Sequence, residues 1–310
     1  MKTNYSPNDG PCCVGSSAVF PPPLEHIEII TTDDQLRSLA RKLRGKKEIA
    51  VDTESNGFYA YYEKTCLIQL SDGAKNYIID PLSVKACSIL GEIFSDPGIE
   101  KILHHGVNDI SGLKHDFGLS FAGVFDTSIA AQLLGIKRRG LAFLLSRYFN
   151  ISISKKGQHH DWSRRPLDED WLIYAAVDVF YLIPLAARMK EELEKRGLLE
   201  RAYELSRSVA NRIVPKRSFS ERGYTRINGY RELGDREKRI VRRLYRFRDE
   251  LARQWDRAPF RVLADDVIVK VAIMKPRRPE DLEQIKGIPV SFKKGHYGER
   301  LIQIVEDSIL

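Results

Sequence analysis

One stretch decides the fold, Ile49-Ala50-Val51-Asp52-Thr53-Glu54, in which two acids stand at the end of an apolar run. An apolar run followed by turn-forming residues (Ser55-Asn56-Gly57) predicts a buried β-strand. Because side chains alternate along a strand, Asp52 and Glu54 are expected to lie side by side on one face. Such a pair repels, and a divalent cation between the two carboxylates would remove the repulsion. Solvated carboxylates at a strand end give the same pattern, so this stretch alone leaves both interpretations open.

The neighbouring sequence predicts a mixed sheet. Apolar runs at 66–70 and 77–79 are separated by turn-forming residues, which indicates an antiparallel meander with the first strand. A short strand precedes them at 27–30, and beyond Pro81 strands alternate with helices. This order predicts an α/β fold with helices on the faces of the sheet.

A second motif, His104-His105-Gly106-Val107-Asn108-Asp109, joins an apolar strand to a helix. Asp109 is predicted in the first helical turn, where a carboxylate stabilises the helix dipole. That role in helix stability competes with a role as a metal ligand.

A third motif, Tyr174-Ala175-Ala176-Val177-Asp178, lies within a predicted helix. Residues four apart share a helix face, so Tyr174 and Asp178 are expected to lie together. A half-buried tyrosine beside an exposed aspartate is the alternative. Asp126 is a further candidate acid, but its place before a helix favours a capping role.

In this order, the three motifs resemble those of the DEDD 3′→5′ exonucleases, in the subgroup whose third motif carries tyrosine. Residues 66–70, 113–118 and 125–127 and the segment Trp162-Ser163-Arg164-Arg165-Pro166-Leu167 resemble the ribonuclease D family. The resemblance spans residues 24 to 195 and implies a ribonuclease H-like mixed sheet with flanking helices.

The resemblance also implies a mechanism. Asp52, Glu54, Asp109 and Asp178 would hold two divalent cations, Mg²⁺ or Mn²⁺, for which oxygen ligands are suited. Asp52 would bridge both ions. Glu54 and Asp178 would complete the site of the ion that generates hydroxide, and Asp109 would bind the ion on the leaving-group side. Tyr174 would hydrogen-bond the attacking water, and the product would be a nucleoside 5′-monophosphate.

The C-terminal part is predicted to be helical and resembles an HRDC domain, with room for a single module. The expected organisation is a flexible leader (1–22), an exonuclease domain (23–200), a linker (201–232) and an all-α HRDC-like bundle (233–310). Residues 201–310 hold 26 Lys+Arg against 16 Asp+Glu, so this part carries a net charge of +10. Such an excess suggests a polyanionic partner, although a solvated arginine-rich surface would give the same count.

Candidate substrate contacts are an aromatic cluster after the first motif, the two histidines of the second motif, and lysines before the last helix. These are Phe58, Tyr59, His104, His105, Lys293 and Lys294. The aromatic residues could stack on bases or simply cover the sheet. Ser55 stands where the family often has an aromatic residue, so no stacking role is assigned to that position.

The resemblance implies a 3′→5′ exoribonuclease that trims the single-stranded 3′ ends of structured RNA such as transfer RNA precursors. Alternatives are an exonuclease acting mainly on DNA and a catalytically silent RNA-binding protein. The sequence has no long apolar run and no secretory signal, so we expect no membrane partner and a cytoplasmic protein. We also expect a monomer. The sequence names no protein partner. The four cysteines, Cys12, Cys13, Cys66 and Cys87, form no CxxC pair and fit a reducing compartment.

Overall fold

Strand β2 (Glu48–Ser55) lies inside a six-stranded sheet in the computed structural model, which describes residues 24–153, 160–216, 218–293 and 295–309. The predicted leader, with Cys12 and Cys13, and the candidate Lys294 lie outside the described residues. The strand order is β1-β4-β3-β2-β5-β6. The other strands are β1 Ile27–Ile30, β3 Thr65–Ser71, β4 Asn76–Ile79, β5 Glu100–Leu103 and β6 Val124–Asp126.

Strands β2, β3 and β4 form the predicted antiparallel meander. The other pairs, β1 with β4, β5 with β2 and β6 with β5, are parallel, so the sheet is mixed, as expected. Asp52 lies opposite Gln69, and the register shifts between Glu54 and Ser55. This irregularity ends regular pairing just where the two acids stand.

Helices cover both faces of the sheet. Helix α3 packs with α1 and α2 over one buried cluster, and α4 to α7 lie over the others. The helices are α1 Asp33–Leu43, α2 Gly91–Phe94, α3 Val107–Phe117, α4 Thr127–Leu133, α5 Leu141–Phe149, α6 Glu169–Phe180, α7 Leu182–Lys195 and α8 Leu199–Asn211. Thr32 caps α1 through a capping box with Gln35, which explains why this helix begins there.

Helix α8 corrects the predicted linker. Residues 201–211 are helical and pack against the sheet domain: Ala202 and Ser206 are fully buried, and the Ser206 hydroxyl accepts the backbone N–H of Asp126. The sheet domain therefore extends to Asn211, beyond the expected boundary at 200. The apolar residues of α8 recur with the period of a helix, but composition alone did not distinguish this segment from a linker.

Helices α6 and α7 together, Glu169–Lys195, are long and apolar enough by composition to cross a membrane, with a mean hydropathy of 1.6 in their most apolar window. The search for apolar runs in the sequence did not identify them. More than half of that window is buried inside the protein, where Ala175, Ala176 and Leu185 pack in the core around the sheet. Packing in the core accounts for the apolar character of these helices.

The C-terminal part is a helical domain with its own buried cluster around Leu244 and Val271. Its helices are α9 Asp235–Gln254, α10 Pro259–Val262, α11 Asp265–Met274, α12 Pro279–Glu283, α13 Val290–Lys293 and α14 His296–Ile309. The long α9, of 20 residues, lies at the start of the part of the sequence that was predicted to be helical.

A loop of the sheet domain enters this helical domain. The docking loop, residues 56–64 between β2 and β3, places Tyr61 within the buried cluster of the helical domain, with 7% of the residue exposed. The Tyr61 hydroxyl donates to Asp249 at 3.1 Å, and the Arg253 guanidinium donates to the Tyr61 oxygen at 2.9 Å. The side chain of Asp256 accepts the backbone N–H groups of Tyr61 and Tyr62 at 3.1 and 2.9 Å. The loop thus holds the two domains together.

Candidate active site

The carboxylates predicted from the three motifs are brought together around the end of β2. Asp52 and Glu54 come from the strand, Asp109 from α3 on one side and Asp178 from α6 on the other. Two cavities border this cluster. Glu54 and Asp109 line one of about 500 Å³, and Asp52, Asp178 and Tyr174 line one of about 690 Å³.

Burial and mutual repulsion make the ionised forms of these acids unfavourable. Burial raises the pKa of Asp52 well above its usual value, and the charges of Asp109, Asp178 and Glu54 raise it further. Although Asp52 keeps some access to solvent through the larger cavity, protein atoms surround it on its other sides. Burial, followed by the charges of Asp178 and Asp109, raises the pKa of Glu54 to about 9. Four acids of this kind require a compensating positive charge to ionise together.

Asp109 and Asp178 are shifted less. Burial raises the pKa of Asp178 to about 7, with a further contribution from the charge of Asp109. Burial also raises the pKa of Asp109, to about 6, and the Thr53 hydroxyl, which donates to Asp109 Oδ1 at 2.6 Å, opposes the rise. This hydrogen bond ties the first motif to the second.

The turn from β5 into α3 places Asp109. The backbone N–H groups of His105 and Gly106 donate to the Asp126 carboxylate at 3.2 and 2.9 Å. A Cβ at Gly106 would lie 2.6 Å from the Leu103 side chain, so only glycine fits this close approach. Asp126 also accepts the N–H of Ser128 as the N-cap of α4, which confirms the predicted capping role.

Tyr174 lies in an aromatic cluster. The Trp162 ring is 6.1 Å from the Tyr174 ring at an interplanar angle of 30°, and His160 stacks on Trp171 at 4.0 Å. Burial raises the pKa of Tyr174, and the charges of Asp178 and Glu54 add to the rise, so the hydroxyl keeps its proton. Tyr174 can therefore donate a hydrogen bond toward the larger cavity.

Arg165 anchors the segment that carries Trp162. Its guanidinium donates to both carboxylate oxygens of Asp80, at 2.6 and 2.7 Å, and to the backbone oxygens of Trp162 and Cys66, at 2.8 and 3.0 Å. Sequence reasoning used this segment for the family resemblance but gave neither Trp162 nor Arg165 a role. A pair of residues 85 positions apart has no local signal.

The donor set suits a hard divalent cation because every candidate ligand is a carboxylate oxygen. In the described part of the chain, no three acidic, histidine or cysteine side chains already surround one point as metal ligands would. The carboxylates form a cluster of like charge, and their side chains would have to turn inward to bind an ion.

The other candidate residues are dispersed. His104 and His105 line the larger cavity, and the His104 Nδ1 lies 2.9 Å from the Thr127 hydroxyl. Burial, followed by the charge of His105, lowers the pKa of His104 to about 4, so this ring is neutral near pH 7. Phe58 lines the smaller cavity, whereas Lys293 lies at the end of α13, outside the residues that line either cavity.

Comparison with known proteins identifies the class. The fold is that of a 3′→5′ exonuclease: the family model of that description matches residues 27–194, and an HRDC domain model matches residues 237–305. Divalent metal ions are the general cofactors of this class of exonuclease. The chain belongs to the ribonuclease D family of 3′→5′ exonucleases.

Three relatives illustrate the range of the family. Ribonuclease D of Musicola paradisiaca is 31% identical over 287 residues, which cover 91% of this chain and 75% of that protein. Exosome complex component 10 of Rattus norvegicus is 33% identical over 82% of this chain, but the chain spans only 30% of that protein's length. The catalytic core of RRP6 from Trypanosoma brucei has a TM-score of 0.84 and 30% identity, over 91% of this chain and 79% of that one.

Proposed function

We propose that this protein is a 3′→5′ exoribonuclease that releases nucleoside 5′-monophosphates from the single-stranded 3′ ends of structured RNA, such as transfer RNA precursors. The observation that carries the proposal is the clustering of Asp52, Glu54, Asp109 and Asp178, with Tyr174, beside two cavities. Membership of the ribonuclease D family supports the reaction and the polarity.

Each residue has a role that its position permits. A pair of Mg²⁺ or Mn²⁺ ions, when bound by the four carboxylates, would supply an activated water and stabilise the charge on the leaving oxygen. Asp52, which lines the larger cavity, would help to hold both ions. Glu54 and Asp178 would serve the water side and Asp109 the leaving-group side. The protonated Tyr174 hydroxyl would orient the water as a hydrogen-bond donor or acceptor.

The substrate would cross the cluster from one cavity to the other. The net charge of +10 over residues 201–310 supports a polyanionic substrate.

We also propose that the protein acts as a monomer in the cytoplasm, which a mass measurement in solution and imaging of the tagged protein would test.

Asp178→Asn tests the proposed function. The variant removes one ligand charge and should lower the rate of release of monophosphates from a 5′-labelled ribo-oligonucleotide in Mn²⁺ by at least about 10²–10³-fold. Asp170→Asn, on the exposed first turn of the same helix, is the matched control and should retain full activity. Activity of Asp178→Asn within about tenfold of the wild-type rate would refute the site assignment.

The same assay decides the substrate class. A matched deoxyribo-oligonucleotide should be degraded more slowly, because discrimination between RNA and DNA depends on contacts to the 2′-hydroxyl. Faster degradation of the DNA strand would favour the DNA exonuclease, and binding with no metal-dependent release would favour the silent RNA-binding protein.

A further inference from the structure

The smaller cavity has walls from both domains. Glu54 and Asp109 line its catalytic end, while Phe58 of the docking loop and Phe260 of α10 line it elsewhere. Lys216, from the segment that connects the domains, lines it as well. The helical domain thus contributes directly to the cleft that begins at the carboxylates.

Phe58 and Phe260 form one aromatic surface. Their ring centroids are 5.0 Å apart with an interplanar angle of 56°, so the rings contact each other across the domain boundary. Both are large apolar side chains that keep substantial solvent access, 41% for Phe58 and 42% for Phe260. Contiguous exposed apolar surface at a cleft is characteristic of a binding site.

Arg261 fixes this surface from the side. Its guanidinium carbon lies 3.8 Å from the Tyr59 ring centroid, 4.7 Å from that of Phe58 and 5.8 Å from that of Phe260. Its Nε donates to the Phe58 backbone oxygen at 2.8 Å. The backbone N–H of Ala258 donates to the backbone carbonyl oxygen of Tyr59 at 2.8 Å. The rings are thereby held in place before any ligand arrives.

The chemistry of this surface suits an unpaired nucleobase. Aromatic side chains that line a groove bind single strands by stacking, because every base has a π-face. The Arg261 guanidinium lies against the rings, and its positive charge suits a ligand whose backbone is anionic, whereas Lys216 is already paired with Asp116 at 2.5 Å. The cavity leads from the rings to Glu54 and Asp109, so a base at the rings would belong to a strand whose end reaches the carboxylates.

We propose that Phe58 and Phe260 together form a stacking subsite for one unpaired base of the substrate strand, and that the helical domain therefore completes the substrate cleft. The subsite rests on the proposed function for the identity of its strand. It assigns Phe260, in a domain without catalytic carboxylates, to substrate binding. It also gives Arg261 a positioning role, since this side chain holds both rings.

Binding measurements on a nuclease-deficient background test the subsite. In the Asp178→Asn protein, fluorescence anisotropy would report the Kd of a short unstructured ribo-oligonucleotide with and without Phe260→Ala. Loss of one base stack should weaken binding by about 5- to 150-fold. Phe260→Trp should preserve affinity, since indole also stacks on a base. Val290→Ala, a change at an apolar residue of the same domain that is 80% exposed, is the matched control and should leave Kd unchanged.

Abasic substitution localises the effect. A series of oligonucleotides, each with one base removed near the 3′ end, should include one position at which Phe260→Ala no longer weakens binding, because the base it would lose is already absent. A uniform loss at every position, or an unchanged Kd in Phe260→Ala, would overturn the subsite. Phe260→Leu separates stacking from domain packing: it keeps an apolar contact with Phe58 and should bind RNA as weakly as Phe260→Ala, and recovery of wild-type affinity would overturn the proposal.

Failure of the subsite and failure of the proposed function give different results. If the wild-type protein releases no monophosphates from any RNA, the proposed function fails before Phe260 is considered. If the wild-type protein degrades RNA and Phe260→Ala binds it normally, only the subsite fails.

Discussion

Ionising Asp52, Glu54, Asp109 and Asp178 together would place four negative charges at the end of one strand. Each raised pKa means that the folded protein holds protons that the unfolded chain has already released. The folded state therefore loses stability as pH rises from about 4, the usual range of these acids, through the folded values of about 6, 7 and 9. A bound cation favours the ionised forms and would reverse this effect.

The first prediction at the scale of residues follows from this sign. In chelator, the free energy of unfolding should fall between pH 5 and pH 8 by more than about 1 kcal/mol, since one unit of pKa difference is worth about 1.4 kcal/mol and solvent in the cavities screens part of it. Mn²⁺ should abolish the fall, and Asp178→Asn should reduce it. Denaturant unfolding at each pH measures the effect. Stability in chelator that rises with pH would contradict the shifts.

Residue spacing predicted the candidate carboxylates because their signals are local. Asp52 and Glu54 share a face through the strand period, and Tyr174 and Asp178 through the helix period. The roles of Gly106 and Asp126 were harder to predict from the sequence, because their contacts depend on how the β5–α3 turn meets α4. The need for glycine at position 106 follows only from the three-dimensional path of this turn.

At the scale of elements, an ion pair between Arg165 and Asp80 anchors the segment before α6. Asp80 follows β4 and is 4% exposed, and its carboxylate receives two hydrogen bonds from Arg165. Arg165 also holds the carbonyl of Trp162, whose ring lies beside Tyr174. Planar, two-point recognition of a carboxylate is a property of arginine that lysine lacks.

We therefore predict that Arg165→Lys lowers the free energy of unfolding by about 1–3 kcal/mol, the value of hydrogen bonds to a charged group. Turnover should fall while the Kd for RNA changes little, because the displaced ring is the one beside Tyr174. Arg164→Lys, at the exposed neighbouring position, is the control. Chemical denaturation and single-turnover kinetics measure the two effects, and equal behaviour of the two variants would argue against the anchoring role.

Elements were predicted where the hydrophobic period is strong and missed where packing decides. The meander and the long α9 follow from local patterns. Helix α8 was assigned to a linker, and the helix predicted around Tyr174 and Asp178 ends at Phe180, after which α7 begins at Leu182. Local sequence contains no signal for the sheet against which α8 packs.

At the scale of the whole molecule, the docking loop determines how the domains meet. Asp256 has a left-handed backbone, with φ of +43°, and accepts two N–H groups of the loop. Aspartate and asparagine tolerate this conformation better than alanine does. The aromatic residues of the loop were expected to stack on bases or cover the sheet. Tyr61 does neither, because its partners lie almost 200 positions away.

Asp256→Ala should loosen this junction. Loss of two hydrogen bonds and strain at the left-handed position should reduce the free energy of unfolding by about 1–2 kcal/mol. Hydrogen exchange at the amides of Tyr61 and Tyr62 should accelerate. Asp256→Asn retains an acceptor oxygen and the backbone preference, so it should behave nearly as the wild type. If both substitutions leave exchange at these amides unchanged, Asp256 does not hold the loop.

The position of Tyr61 limits how the protein can be divided or recombined. In a chimera with the helical domain of a relative, Tyr61 would contact residues other than its present partners in that domain. Residues 56–64 would have to be exchanged together with α9 and α10 to keep these contacts. A fragment ending at Asn211 would expose the Tyr61 ring to solvent, and this apolar surface would favour self-association. The boundary between the domains in the sequence is therefore not their boundary in space. Recombination of the two domains in evolution would have to transfer the docking loop and the helical domain together.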